Sequence, residues 1–199
     1  QCFGCGGYPT GSTWLSEFIG AYETKYGEKP PVDAWAIDLY PIDWINTPNN
    51  DPGAANQPTW KGQKVLHSEI VINQLQAMRQ YLDSIPEYVN TPIWVTEIAI
   101  HVGYEGWQWA GSGIEPIFPY RWDNMSAYVT QVLDWMETNW ELNKIAKWFF
   151  FTPWKDTVNV GGDGYMGTIF FDAQGPGSQI NCLGKLYQSR SLQYLATPP

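Results

Sequence analysis

Glu97 lies inside an apolar, strand-like run, Ile93-Trp94-Val95-Thr96-Glu97-Ile98-Ala99-Ile100, with Pro92 just ahead of it. A carboxylate in such a run is costly to bury unless it is paired or put to use. Two readings follow: a catalytic carboxylate at the carboxyl end of a strand, or a buried glutamate held by an arginine or by backbone donors. Two other apolar runs also end in polar or aromatic residues, one at Asp38 and Tyr40, the other at Thr152 and Trp154. Carboxylates at such ends can act as acid, base or nucleophile. The chain also holds 12 Trp and 12 Tyr, more than a core needs. Such a surplus serves either a large aromatic core or ring-stacking surfaces, for which the apolar faces of sugars are one client.

The elements that must position these residues alternate between helix and strand. Trp14, Phe18, Ile19, Tyr22 and Tyr26 recur at helical spacing, and Gly27, Pro30 and Pro31 end that helix. Asp33 to Tyr40 reads as a strand stopped by Pro41, followed by an Asn-, Pro- and Gly-rich loop from about Thr47 to Gly62. Val71, Leu75, Met78, Leu82 and Ile85 mark an amphipathic helix. The Glu97 strand comes next, then a loop from His101 to Trp122 that carries Trp107, Trp109 and Tyr120. Asp123 or Asn124 caps a further helix with Met125, Val129, Val132, Met136 and Trp140 on its buried face. Trp148 to Trp154 reads as the third strand, and a short segment from Thr168 to Asp172 and a helix from about Leu183 to Leu195 close the chain.

Near-continuous apolar strands alternating with helices predict a parallel sheet covered by helices. Long connections follow the strands and short ones, such as Asn90-Thr91-Pro92, precede them. That asymmetry predicts a partial (β/α)8 TIM barrel with its site at the carboxyl ends of the strands. Only three strand–helix units are firm, about half a barrel, so residues 1–199 read as one domain that is incomplete alone. Strict alternation puts Ala36, Asp38 and Tyr40 on one face and Val95, Glu97 and Ala99 on one face, so that the polar groups can converge.

Composition excludes several classes. A net charge of −9 with only 11 Lys and Arg argues against nucleic acid or an anionic membrane as partner. No apolar run has the length of a membrane span. Cys2 and Cys5 form a Cys-x-x-Cys, but neither His67 nor His101 is spaced to complete a metal site with them, so no metal and no cofactor is expected. The thiols, Cys182 included, are unremarkable or form one bridge of unassigned partner. Gly161-Gly162-Asp163-Gly164 lacks the lysine and helix of a phosphate cradle. Asn124-Met125-Ser126 is a glycosylation sequon by pattern. The start at Gln1 reads as a mature or trimmed end.

The runs Val32 to Tyr40, Pro92 to Glu97, Lys147 to Phe151, Gly167 to Asp172 and Leu183 to Tyr187 occur in an order and spacing that resembles a known family. It is the carboxyl-terminal half of secreted bacterial proteins with a glycoside hydrolase catalytic core, in the TIM-barrel clan of retaining glycosidases. The resemblance implies that Glu97, in its Trp-x-x-Glu element, is the nucleophile ending the seventh strand. It implies that Tyr40 orients Glu97, and that Trp148 or Trp154 lies beneath the sugar, with Trp107, Trp109 and His101 as further candidates for binding it. Asp38 departs from the His-x-Tyr of the clan; it tunes the site or is a partner carboxylate. In the clan the acid comes from an Asn-Glu pair, and this sequence has no Asn-Glu dipeptide. Glu105 and Glu115 are weaker alternatives, and the acid is expected on a missing amino-terminal half.

The expected activity is therefore hydrolysis of O-glycosidic bonds in a poly- or oligosaccharide by a secreted or cell-surface protein. The alternative is a non-catalytic carbohydrate-binding or structural protein built on a degenerate glycosidase barrel. In either case the open sheet edge calls for cover by an amino-terminal half of the same barrel or by another chain.

Overall fold

The structure is a computed structural model and describes residues 11–39, 67–99, 122–151, 179–180 and 182–196. Helix α1 (Gly11–Tyr26) leads to strand β1 (Trp35–Leu39), helix α2 (Ser68–Asp83) to strand β2 (Ile93–Ala99), and helix α3 (Trp122–Asn143) to strand β3 (Ile145–Phe151), with helix α4 (Cys182–Ala196) last. The strands form a parallel sheet in the order β1-β2-β3. Parallel neighbours need crossover connections, and α2 and α3 supply them. The described chain is thus an α/β arrangement compatible with part of a barrel.

One face of this sheet is covered. Trp35, Ile37 and Leu39 of β1, Ile93, Val95 and Ile98 of β2, and Ile145 and Phe150 of β3 join Leu75, Met78, Leu82, Val129, Val132 and Met136 in one core. Ile19 of α1 and Leu183 of α4 complete it. The other face carries Ala36, Trp94, Lys147 and Phe149, all exposed to solvent among the described residues. The Lys147 ammonium sits 4.5 Å from the centre of the Trp94 ring, which confirms that these register partners share that face.

The start of β3 differs from expectation. β3 begins at Ile145, three residues ahead of the predicted Trp148, because Lys144 alone turns the chain out of α3 with a left-handed φ of 53°. Its carbonyl accepts the Ile93 amide at 2.8 Å and so aligns the starts of β2 and β3. In α1, Gly27 takes a φ of 76° and its amide bonds the Glu23 carbonyl at 2.8 Å, a glycine stop as the sequence indicates. The aromatic series on α1 marks the helix but not its buried side. Leu15 and Ile19 are buried, whereas Trp14 and Phe18 stack on each other in the open with centres 5.4 Å apart. The segment 168–172 lies outside the described residues.

The turns entering the strands are tightly bonded. The Trp35 amide donates to the Pro92 carbonyl at 2.9 Å, and the Tyr88 hydroxyl to the Pro30 carbonyl at 3.0 Å. Arg79 is buried at the foot of α2 and donates to the Thr91 and Tyr88 carbonyls, each at 2.9 Å, while pairing with Asp83 at 3.0 Å.

Burial, with the Glu87 carboxylate beside it, pushes the Tyr88 phenol from 10.0 up to about 12. Burial also raises Tyr128 and Tyr187. Between pH 10 and about 12 the unfolded chain has lost the Tyr88 proton that the folded chain keeps, so stability falls as pH rises through that window. Below pH 10 the contribution is fully present. Urea midpoints from pH 8 to 12 should therefore decline from about pH 10, less steeply in Tyr88→Phe. Equal slopes for the two proteins would contradict this assignment.

Candidate functional site

Asp38 is the fourth residue of β1, and its burial pattern sets it on the uncovered face between buried Ile37 and Leu39. Strict alternation along β2 would set Glu97 on the opposite face, since Val95 is fully buried and pairs with Ile37. The structure corrects this. The register slips by one residue, so that Ile37 pairs with Val95 but Asp38 pairs with Glu97 and Leu39 with Ile98. Thr96 is the extra residue of a β-bulge, and the same slip separates Val95 from Ile98 against β3. A bulge re-aims the side chains that follow it. Here it returns Ile98 to the core and turns Glu97 outward beside Asp38, leaving it half-buried.

The two carboxylates therefore stand on register-paired residues of adjacent strands, whose backbones run about 4.8 Å apart. The Thr96 hydroxyl lies 2.7 Å from Asp38 Oδ1 and 3.3 Å from the Ile37 carbonyl. Phe149 of β3 falls on the same face, since Trp148 before it pairs with Val95 and Phe150 after it with Ile98, both in the core. Asp38, Glu97 and Phe149 thus form a row across the carboxyl half of the sheet. Sequence reasoning named the first two and missed Phe149; the signal for it was the parity of β3, which only the corrected strand start reveals.

Trp148 packs against the core from the helix side of the sheet. With Leu133, Ala146, Phe149, Tyr187 and Arg190 it lines a cavity of about 470 Å³ along the edge of β3. Arg190 spans that cavity's wall, donating through Nε to Glu137 at 3.1 Å and through a terminal nitrogen to Glu137 and Asp134 at 2.6 and 2.5 Å. These carboxylates hold its proton more firmly than in an ordinary arginine. Tyr40, Trp154, Trp107, Trp109 and His101, with Glu105 and Glu115, lie outside the described residues.

His67 precedes α2 without capping it and pairs through Nδ1 with Glu69 at 3.0 Å. Among the described residues no cluster of His, Cys, Asp and Glu is placed to hold a metal ion, and no helix is long and apolar enough to cross a membrane. Cys182 is an exposed free thiol at the start of α4.

The geometry is that of two carboxylates and an aromatic ring at the carboxyl ends of parallel strands. A family model described as glycosyl hydrolase catalytic core matches residues 67–187, more than half of the chain, and that stretch contains Glu97. No curated protein and no solved structure matches.

Proposed function

The chain belongs to the glycosyl hydrolase catalytic core family, and from that membership we propose that it is the carboxyl-terminal part of a (β/α)8 barrel that hydrolyses O-glycosidic bonds of a poly- or oligosaccharide with retention of configuration. Glu97 is the nucleophile in this reading. The observation that carries it is the bulge at Thr96, which brings Glu97 out of the core and into register with Asp38. A carboxylate at the end of a parallel strand, facing where a barrel would have its mouth, is where this fold places catalytic groups.

The mechanism needs a second carboxyl group that protonates the leaving oxygen, about 5 Å from the nucleophile. Asp38 is near enough along the sheet, but its hydrogen bond from Thr96 suits a group kept as an acceptor. We assign it the tuning role and place the acid on a segment beyond the described strands, an amino-terminal half of the same barrel or another chain. Among the described residues β3 has a strand neighbour only on its β2 side, and an unpaired strand edge is open to such a neighbour. Residues 1–199 are then one domain that is complete only with this neighbour. Tyr40 orients Glu97, Trp154 and Phe149 supply sugar platforms, and Trp107, Trp109 and His101 are further candidates for binding the sugar. A polysaccharide substrate suits a secreted or cell-surface protein.

The test is to incubate the intact protein with a panel of α- and β-linked oligosaccharides and follow the anomeric protons by NMR. The expected result is product released first in the configuration of the substrate. First release in the opposite configuration would overturn retention. Asp38 in place of the clan's histidine favours a second reading, a carbohydrate-binding protein without turnover. Saturable quenching of tryptophan fluorescence with no product after long incubation would establish it.

A further inference from the structure

Thr96 has no opposite number on β1, because the register passes from Val95 to Glu97 without it. Its hydroxyl nevertheless reaches across to that strand, 2.7 Å from Asp38 Oδ1 and 3.3 Å from the Ile37 carbonyl. A threonine hydroxyl has one proton and donates it to one acceptor at a time. The carboxylate is closer, and a bond to an ionised acceptor is the stronger kind. The proton therefore goes to Asp38.

We propose that Thr96 is a positioning residue for the Glu97 site: its hydroxyl ties the Asp38 carboxylate to the bulge that turns Glu97 out of the core. The proposal rests on the reading of Glu97 as nucleophile and deepens it. Three facts meet at this residue. It is the inserted residue of the bulge, it is the chain neighbour of Glu97, and it is bonded to the register partner of Glu97. The tether fixes one Asp38 oxygen on the Thr96 side. Without it, the carboxylate can swing toward Glu97, and the bulge loses the bond that anchors it to β1. Catalytic geometry is sensitive to such loosening, because small misplacements of a reacting group cost far more in rate than in binding.

The structural alternative is a cross-strand bond that only steadies the sheet. The two roles give different signatures. Thr96→Val keeps the shape and the β-branching that suit a strand and removes only the hydroxyl. Thr96→Ser keeps the hydroxyl. On the oligosaccharide turned over by the intact protein, Thr96→Val should lower kcat about 10- to 100-fold with KM changed by less than about twofold. Thr96→Ser should return most of the loss. In an Asp38→Ala background, Thr96→Val should have little further effect, since its hydroxyl then has no carboxylate to hold.

A second measurement does not depend on turnover. Carbon-13 NMR of the side-chain carboxyls should show the Asp38 and Glu97 signals moved by Thr96→Val and restored by Thr96→Ser. Carboxyl signals unmoved by Thr96→Val, or a kcat that Thr96→Val leaves intact, would overturn the positioning role while the reading of Glu97 stands. Signals that move and recover in a protein that hydrolyses nothing would overturn the glycosidase reading and leave the tether as described.

Discussion

Glu97→Ala in the intact protein is expected to lower kcat by at least about 10³-fold, and sodium azide is expected to restore turnover. The argument is chemical. A retaining glycosidase forms a covalent bond between its nucleophilic carboxylate and the anomeric carbon as the glycosidic bond breaks. Removing the carboxylate leaves a pocket on that face of the sugar, and azide fills it as a small anionic nucleophile. It attacks the anomeric carbon, the aglycone oxygen leaves with the proton from the acid, and a glycosyl azide of inverted configuration results. Were Glu97 the acid instead, azide would enter after the glycosyl-enzyme had formed, and the azide product would keep the substrate's configuration. The product's anomeric coupling in proton NMR therefore distinguishes the two roles, and an alanine variant with undiminished kcat would remove Glu97 from the chemistry altogether.

Arg79→Ala should destabilise the fold by about 3 kcal/mol, the largest effect expected from any single change in the described turns. Arg79 is 3% exposed and holds the carbonyls of Thr91 and Tyr88, which sit in the turn that feeds β2. Its removal takes the guanidinium from the Thr91 carbonyl, leaves the Tyr88 carbonyl with the Thr91 amide at 3.0 Å, and leaves Asp83 with the more distant Lys144 ammonium at 4.0 Å. Buried groups deprived of a partner cost the full desolvation penalty, which is why truncation is worse than never having made the bond. Arg79→Lys recovers little, because one ammonium on a flexible stem does not reproduce a planar fork aimed at two carbonyls. Urea unfolding gives the number directly. A loss below about 1 kcal/mol would mean that water replaces the arginine at these carbonyls. The consequence reaches the site, since the turn sets where β2 begins and thereby where Glu97 ends up.

Much of this was legible from residue order. The period of Val71, Leu75, Met78 and Leu82 located α2 and its buried face, and all four are buried in the core. The alternation of Trp35, Ile37 and Leu39 gave β1 and set Asp38 apart from them. What was not legible came from contacts between segments. Counting in twos along β2 assigns Glu97 to the side of Val95, and nothing within β2 announces that Thr96 is an inserted residue; the insertion exists only relative to β1 and β3. The α1 aromatics mark the helix without marking its buried side, for a related reason. Trp14 and Phe18 find partners in each other along the helix, so their spacing reflects stacking as much as a core. The Arg79 clamp was invisible because its acceptors are backbone carbonyls, which any sequence supplies.

The bulge at Thr96 has a genetic corollary. Loss of that single codon would leave unbroken alternation in β2 with Glu97 still turned outward and Ile98 still in the core, because the register already passes from Val95 to Glu97 against β1. The faces would survive, and what would go with the bulge is the hydroxyl that reaches Asp38, so the lesion would strike the site rather than the core. In the long connections after each strand, gains and losses of several codons are far better tolerated. Lineages descended from this sequence should therefore accumulate length changes in those connections, and one that loses the Thr96 codon should keep the faces of Glu97 and Ile98 while losing the tie to Asp38.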